Sequence, residues 1–463
     1  MHQGSTAKRP LGAPHAKKLL GLGLLVAAGC GAKVKSPARV PYVEVWELAQ
    51  FADLEQDYGA ALSLVDMDAD GERELLVGAP ARDPDRDGVV LFVSLQSLSV
   101  VDAVLPWRSN GDTSAHHDEF GKSLVWGDWN RDTRIDLAVG DPGADVGSVE
   151  RAGEVWVFFG PIDTAVATRL SSSVASSGGR FGETLAAGDF DFDGYQDLAC
   201  GAPHPAEIAA DADGSSLEVF FGPDFTRHER WEAGSAGGSF GAALVSVPQP
   251  GGGAALVAGA PELSDADGVL GGLFAWERFV DASARRVGAP RAIDSEFGRA
   301  GSYGDFDGDG RGELAVAALA GRGGVYFLER DRFVEQGRLA LPAALTARAG
   351  APLFTTPDLT GDSAEELLLL SSRASDPAAL LFSPGRGLAH LVLDFAAAAA
   401  ISSNFDWDDA PELLLATPTS LQSGGGLSDL SLIDVSWQDV RSLDAPRRPP
   451  VVIPGVAALR GRG

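Results

Sequence analysis

One pattern recurs through most of the 463 residues, and any fold for this chain must accommodate it at a nearly even spacing. The first copy runs Tyr58-Gly59, Leu62 and Leu64, Asp66-Met-Asp68-Ala-Asp70-Gly71-Glu-Arg-Glu74, then Leu75-Leu-Val-Gly-Ala-Pro80, and ends in the apolar run Gly88 to Phe92. The second has Phe120-Gly121, an acidic loop from Asp128 to Asp136, and Glu154 to Phe159; the third has Phe181-Gly182, Asp189 to Asp197, Gly201-Ala-Pro203 and Leu217 to Phe221. The fifth has Phe297-Gly298 and Asp305 to Glu313, while the sixth and seventh keep loops at Asp358 to Glu366 and Asn404 to Glu412 but lack the leading Phe-Gly. Loop starts are separated by 62, 61, 116, 53 and 46 residues, and the long interval holds Phe240-Gly241 and Gly259-Ala-Pro261. A fourth repeat therefore lies there with Pro248 to Gly253 in place of the acidic loop, and the chain has seven repeats.

Each repeat holds several short runs of Val, Leu and Phe bounded by Gly, Pro and Asp, with no 3.6-residue periodicity beyond residue 29. The chain is expected to be all-β. A series of such units must dispose of its sheet edges, and radial closure does so at this repeat length, giving a seven-bladed β-propeller with about four antiparallel strands per blade. Closure requires one blade to combine strands from both ends, for which Val43 to Trp46 and Leu430 to Val435, or the segment after Trp437, are the candidates.

The acidic loops have a ligand chemistry of their own. Positions 1, 3, 5 and 9 carry oxygen side chains, position 6 is usually Gly, and position 7 offers a backbone carbonyl. The ligand sets are Asp66, Asp68, Asp70, Glu72 and Glu74; Asp128, Asn130, Asp132 and Asp136; Asp189, Asp191, Asp193, Tyr195 and Asp197; and Asp305, Asp307, Asp309, Arg311 and Glu313. The last two are Asp358, Thr360, Asp362 and Glu366, and Asn404, Asp406, Asp408 and Glu412. Hard oxygen donors at this density select Ca2+. An EF-hand is excluded, because its last acid falls at position 12 and helices flank it, whereas here the last acid is at 9 and a strand follows. The first, third and fifth loops are complete. Thr133 at position 6 of the second, Thr360 and Ser363 in the sixth, and Asn404 and Asp409 in the seventh predict weaker or empty sites, giving three to six Ca2+ ions. Position 2 is always large and apolar, as Met67, Trp129, Phe190, Phe306, Leu359 and Phe405 show, and is expected to point away from the metal as a packing plug.

Phe-Gly, the Asp-rich loop and Gly-Ala-Pro resemble the FG-GAP repeats of integrin α-chain propellers and of many bacterial surface proteins, over roughly residues 58–435. The resemblance implies a seven-bladed propeller with calcium in its blade-edge loops and partners bound by loops of the opposite face. The chain departs from the pattern in its absent fourth loop and in Ala317-Ala318, Ser371-Ser372 and Ala416-Thr-Pro418, which replace Gly-Ala-Pro.

Residues 1–29 carry Lys8, Arg9, Lys17 and Lys18, no acid, and an apolar run from Leu19 to Ala28 too short to span a bilayer. They read as an export signal. Val26-Ala-Ala-Gly-Cys30 resembles the lipobox of bacterial lipoproteins, with Ala27 where Leu is usual, so Cys30 is the expected lipidation site. Residues 30–40 then form a tether, 41–440 the propeller and 441–463 a loose tail. Cys200 reads as a small buried hydrophobe, which leaves no disulfide framework.

The formal charge is −28, and −32 once the basic signal residues are removed, which argues against nucleic acid and against contact with anionic lipid except through the anchor. His116-His117-Asp118 has no further His or Cys at ligand spacing, and no nucleophile elbow or phosphate loop is present. The expectation is therefore a non-enzymatic, monomeric module of the cell envelope or surface that binds a protein or glycan. The alternatives are an extracellular hydrolase or lyase acting on lipid or polysaccharide, and a passive structural subunit of an envelope complex.

Overall fold

The computed structural model describes residues 43–46 and, with interruptions, 59–433. The proposed signal, lipidation site, tether and tail, together with His116 and His117, lie outside the described residues. Among those described, no helix is long and apolar enough to cross a membrane.

The chain is an all-β propeller of four-stranded antiparallel blades. Six blades each use four strands in chain order. Blade 1 comprises Ala61–Val65, Glu74–Ala79, Val89–Ser94 and Ser99–Val104; blade 2 comprises Ser123–Gly127, Asp136–Asp141, Glu154–Phe158 and Thr168–Ser171. Blade 3 is Thr184–Gly188, Asp197–Ala202, Ser216–Phe220 and His228–Glu232, and blade 4 is Leu244–Pro248, Ala254–Ala260, Gly272–Trp276 and Arg285–Gly288. Blade 5 is Asp294–Gly304, Glu313–Gly321, Gly324–Glu329 and Glu335–Ala340; blade 6 is Leu353–Thr356, Glu366–Leu370, Ala378–Ser383 and Gly387–Val392. A further four-stranded sheet joins Ala399–Ser403, Glu412–Thr417 and Asp429–Ile433 to Val43–Trp46. There Val43 pairs with Ile433 and Trp46 with Leu430, so the first strand described closes the last sheet.

First strands of neighbouring sheets touch in succession round the series, and Ala399–Ser403 returns to touch Ala61–Val65. The second strand of each blade is buried along its length in blades 1 to 4 and in blade 6, which accounts for runs such as Leu-Leu-Val-Gly-Ala that are apolar on both faces. The cores lie between blades. One cluster joins Val65, Leu76, Val90 and Phe92 of blade 1 to Leu137, Val139, Trp156 and Phe158 of blade 2. Another joins Leu75, Val77 and Leu91 of blade 1 to Leu414 and Ala416 of the composite sheet.

The Phe-Gly and Gly-Ala-Pro elements make these joints. Phe120 sits fully buried in the cluster between blades 1 and 2, edge-on to Trp156 at 6.2 Å and Phe158 at 6.4 Å. Gly121 follows with φ +92°, a conformation L-residues avoid, and its N–H donates to the Gly140 carbonyl of its own blade at 3.1 Å. Its carbonyl abuts the α-carbon of Gly78 in blade 1, where a Cβ would collide with it. The same approach recurs between Gly140 and Gly182, Gly201 and Gly241, and Gly259 and Gly298. Blade 5 carries Ala317 at the equivalent place, and the repeat that follows it has no Phe-Gly. At Gly78, Gly140, Gly201 and Gly259 the glycine thus has a steric reason, since the next blade presses a carbonyl onto it.

Candidate metal centres

Among the described residues, the acidic loops connect the first strand of a blade to the second and fold by hydrogen-bonding their own backbone. In the third loop the position 1 carboxylate of Asp189 accepts N–H bonds from Asp193 at 3.1 Å and Gly194 at 2.9 Å. Asp191 accepts from Asp193 at 3.1 Å, and Asp193 accepts from Tyr195 at 2.8 Å. The last carboxylate, Asp197, reaches back to the Phe190 N–H at 2.8 Å and across to the Gly222 N–H at 3.1 Å. The fifth loop repeats this scheme: Asp305 accepts from Asp309 and Gly310, Asp309 from Arg311, and Glu313 from Phe306. In the second loop Asp128 accepts from Asp132 and Thr133, and Asp136 from Trp129 and Gly160. Elements of it persist in the first loop, where Glu74 accepts from Met67 and Asp66 from Gly71, and in the sixth, where Glu366 accepts from Leu359 and Asp358 from Ser363.

Position 6 is left-handed in every loop where it is described: Gly71 +94°, Thr133 +69°, Gly194 +90°, Gly310 +82° and Ser363 +71°. Thr133 and Ser363 adopt this conformation despite their Cβ atoms. Position 4 is left-handed too, at Arg131, Phe192 and Gly308, a requirement that the residue types conceal because only one of the three is glycine. Position 2 forms the plug. Trp129 lies in the cluster between blades 2 and 3, Phe190 between blades 3 and 4, and Phe306 between blades 5 and 6, all buried. Met67 and Leu359 are half-buried.

Positions 1, 3 and 9 come together. Asp189, Asp191 and Asp197 place one carboxylate oxygen each within 4.8 Å of one another, and so do Asp305, Asp307 and Glu313. Position 5 does not join either trio: Asp193 and Asp309 are exposed and turned to the N–H of position 7. Asp70 and Asp132 do the same with Glu72 and Arg134. Asn130 replaces the second carboxylate of the second loop, and its Nδ2 donates to Asp132 at 3.2 Å. Asp68, Thr360, Asp362, Asn404, Asp406 and Asp408, with the side chain of Glu412, lie outside the described residues.

The electrostatics of these trios suit a cation. Burial, with the charges of Asp191 and Asp189, pushes the Asp197 carboxyl up to about 7 against the N–H bonds of Gly222 and Phe190. Burial, with Asp307, Asp305 and Asp309, lifts Glu313 to about 7 against its bond from Phe306. Asp136 is raised as well, again chiefly by burial. In the first loop Asp66 Oδ1 is buried without a hydrogen-bond partner. Converging, desolvated oxygens of one sign fit a hard divalent ion, which would neutralise them and use the lone pairs that the backbone N–H groups leave free.

Adjacent loops are tied. Gln196, at position 8 of the third loop, accepts the Asp128 N–H of the second at 3.1 Å. Glu365, at position 8 of the sixth, accepts the Asp305 N–H of the fifth at 2.8 Å, and its own N–H donates to the Asp305 carbonyl at 2.8 Å. These position 8 clasps carry no signature in the repeat, because the residue type varies.

The FG-GAP repeat family profile matches residues 181–215, which begin at Phe181-Gly182 and include the third loop. Integrin alpha-D of Homo sapiens is 37% identical over 157 residues, 31% of this chain and 13% of that protein. Phosphatidylinositol-glycan-specific phospholipase D of Rattus norvegicus is 28% identical over 154 residues, 31% of this chain and 18% of that protein. Both matches thus span well under a quarter of the relative's length. The crystal structure of BBS1N in complex with ARL6DN covers 82% of this chain and 92% of that one at 11% identity, with a TM-score of 0.46. With its Phe-Gly and Gly-Ala-Pro joints, its Asp-rich loops and its four-stranded blades, the chain is a β-propeller built from FG-GAP repeats.

Proposed function

We propose that this protein is an exported, calcium-binding, seven-bladed propeller that serves as an interaction or adhesion module of the cell envelope, held there by a lipid on Cys30, with a protein or glycan as its partner. The observation that carries the calcium reading is the pair of converging carboxylate trios, formed by the same three loop positions in two different repeats, each with a buried position 9 acid. The contacts that run through the seven four-stranded sheets and return to the first support a closed ring. Similarity to integrin α-chains supports an exported interaction module, and calcium then acts as a structural cofactor that sets the loop conformation. Segments 81–87, 141–152 and 204–214, which vary between repeats, are where a partner would be read.

The test of the metal is thermal unfolding in Ca2+ and in chelator. At a hundred times Kd each occupied site adds about 2.7 kcal/mol, so millimolar Ca2+ raises the melting temperature clearly. An unchanged melting temperature defeats the calcium reading. Pull-down of envelope proteins and glycans by wild type and by loop-scanned variants tests the binding role, and retention of every partner by every variant rejects it. A catalytic reading draws on the likeness to a phospholipase D, and turnover of a glycolipid or polysaccharide by the purified chain would favour it.

A further inference from the structure

The third and fifth loops carry the same four acidic positions, yet their surroundings differ in charge. Arg227, between the third and fourth strands of blade 3, sets Nη2 2.9 Å from Asp191 Oδ2 while its guanidinium lies 3.8 Å over the Phe221 ring. Arg278, following the third strand of blade 4, donates Nε to the Asp191 carbonyl at 2.8 Å. Arg131, in the second loop, donates to the Gly194 carbonyl and lies 4.3 Å over the Tyr195 ring. Three guanidinium groups from three blades therefore face one nine-residue loop. The fifth loop has the opposite neighbour: Glu365 of blade 6 adds a carboxylate at the Asp305 N–H. Among the described residues no ion pair engages Asp305, Asp307, Asp309 or Glu313, and Arg311 of that loop is exposed.

We propose that Arg227, assisted by Arg278 and Arg131, sets the cation affinity of the third loop and holds it below that of the fifth. This inference rests on the calcium reading above. Arg227 holds Oδ2 of Asp191, one of the two oxygens that this member of the trio could offer a cation, and its side chain is half exposed, so it is free to swing outward when an ion binds. Arg278 and Arg131 stay on backbone carbonyls and repel the incoming ion from a fixed distance. One unit charge a few ångströms from a partly solvated site changes affinity about tenfold. The two loops would then fill in sequence as Ca2+ rises, the fifth first.

Calorimetric titration of the full chain with Ca2+ tests this, using Arg227→Gln, Arg227→Lys, and Arg227→Gln combined with Asp193→Asn or Asp191→Asn. The expected result is a tighter and a weaker event in wild type, with Arg227→Gln strengthening the weaker one about tenfold. Arg227→Lys, which keeps the charge, stays within about twofold of wild type. Adding Asp191→Asn removes the strengthened event, and Asp193→Asn leaves it in place, because position 5 stands outside the trio. An unchanged or weakened event in Arg227→Gln overturns the inference while leaving calcium binding intact. No heat of binding in wild type overturns the calcium reading itself, and this inference with it.

Discussion

The α-carbon of Gly78 packs against the carbonyl of Gly121, so blade 1 and blade 2 meet there backbone to backbone with no space for a side chain. Gly78→Ala must push that carbonyl away together with Phe120, which is buried beside it. The expected loss is about 1–3 kcal/mol in urea unfolding, as for other overpacked sites. Ala317→Gly, at the equivalent place in blade 5, removes only a methyl group and adds chain entropy, and is expected to cost about 0.5–1 kcal/mol. A smaller loss for Gly78→Ala than for Ala317→Gly would contradict the steric account of the motif.

Thr133 holds φ at +69° with a β-branched side chain in a place where three sister loops use glycine. Thr133→Gly relieves that strain and is expected to raise stability by about 1 kcal/mol, net of the entropy that glycine adds to the unfolded chain. Gly194→Ala, at the same position of the third loop, is expected to lower stability by a similar amount. Paired denaturation curves of the two variants provide the check, and shifts of the same sign would refute it.

Phe190 is tied to its loop by the bond between its own N–H and Asp197, while its ring fills the joint between blades 3 and 4. Phe190→Ala empties a large buried volume and is expected to cost about 3–5 kcal/mol. The substitution keeps the backbone N–H that holds Asp197 but lets it shift toward the emptied joint, so the variant is also expected to bind Ca2+ more weakly, a readout that calorimetry separates from stability.

Glu119 bridges Arg180 of blade 3 and Arg151 of its own blade, and Arg180 also holds Glu183. Burial raises the Glu119 carboxyl, but the hydrogen bond and charge of Arg180, with Arg151 and Lys122, outweigh it and the pKa is lowered. A lowered folded pKa means the ion pair stabilises fully above the ordinary glutamate range and is lost as pH falls through the folded value. Glu119→Gln is thus expected to cost about 1–3 kcal/mol at pH 7, leaving Arg180 with Glu183 alone, and progressively less in acid. A penalty that stays constant from pH 7 to pH 2, read by urea unfolding, would disprove the assignment.

The repeat was readable because its elements each do a job at a joint or a turn: Phe120, Phe181, Phe240 and Phe297 fill the clefts, the glycines after them take positive φ, and Val43–Trp46 supplies the missing strand. The plug at position 2 was readable for the same reason, as Trp129, Phe190 and Phe306 show. The division of labour within the loops was not. Alternating acids appear equivalent along the chain, yet only positions 1, 3 and 9 converge, because the turn at positions 4 to 6 rotates position 5 toward the backbone ahead of it. The arginines round the third loop were equally hidden, since Arg131, Arg227 and Arg278 are far apart in sequence and meet only when three blades stand side by side.

The pairing of Val43–Trp46 with Asp429–Ile433 also orders events in time. A ribosome releases residues 43–46 among the first of the folded region, but their partner strand emerges nearly four hundred residues later. Until then the growing array has an open strand at its advancing end and no place for the segment that leads it. The last joint to form therefore involves the first strand made, and the composite sheet is completed only after Asp429–Ile433 has emerged.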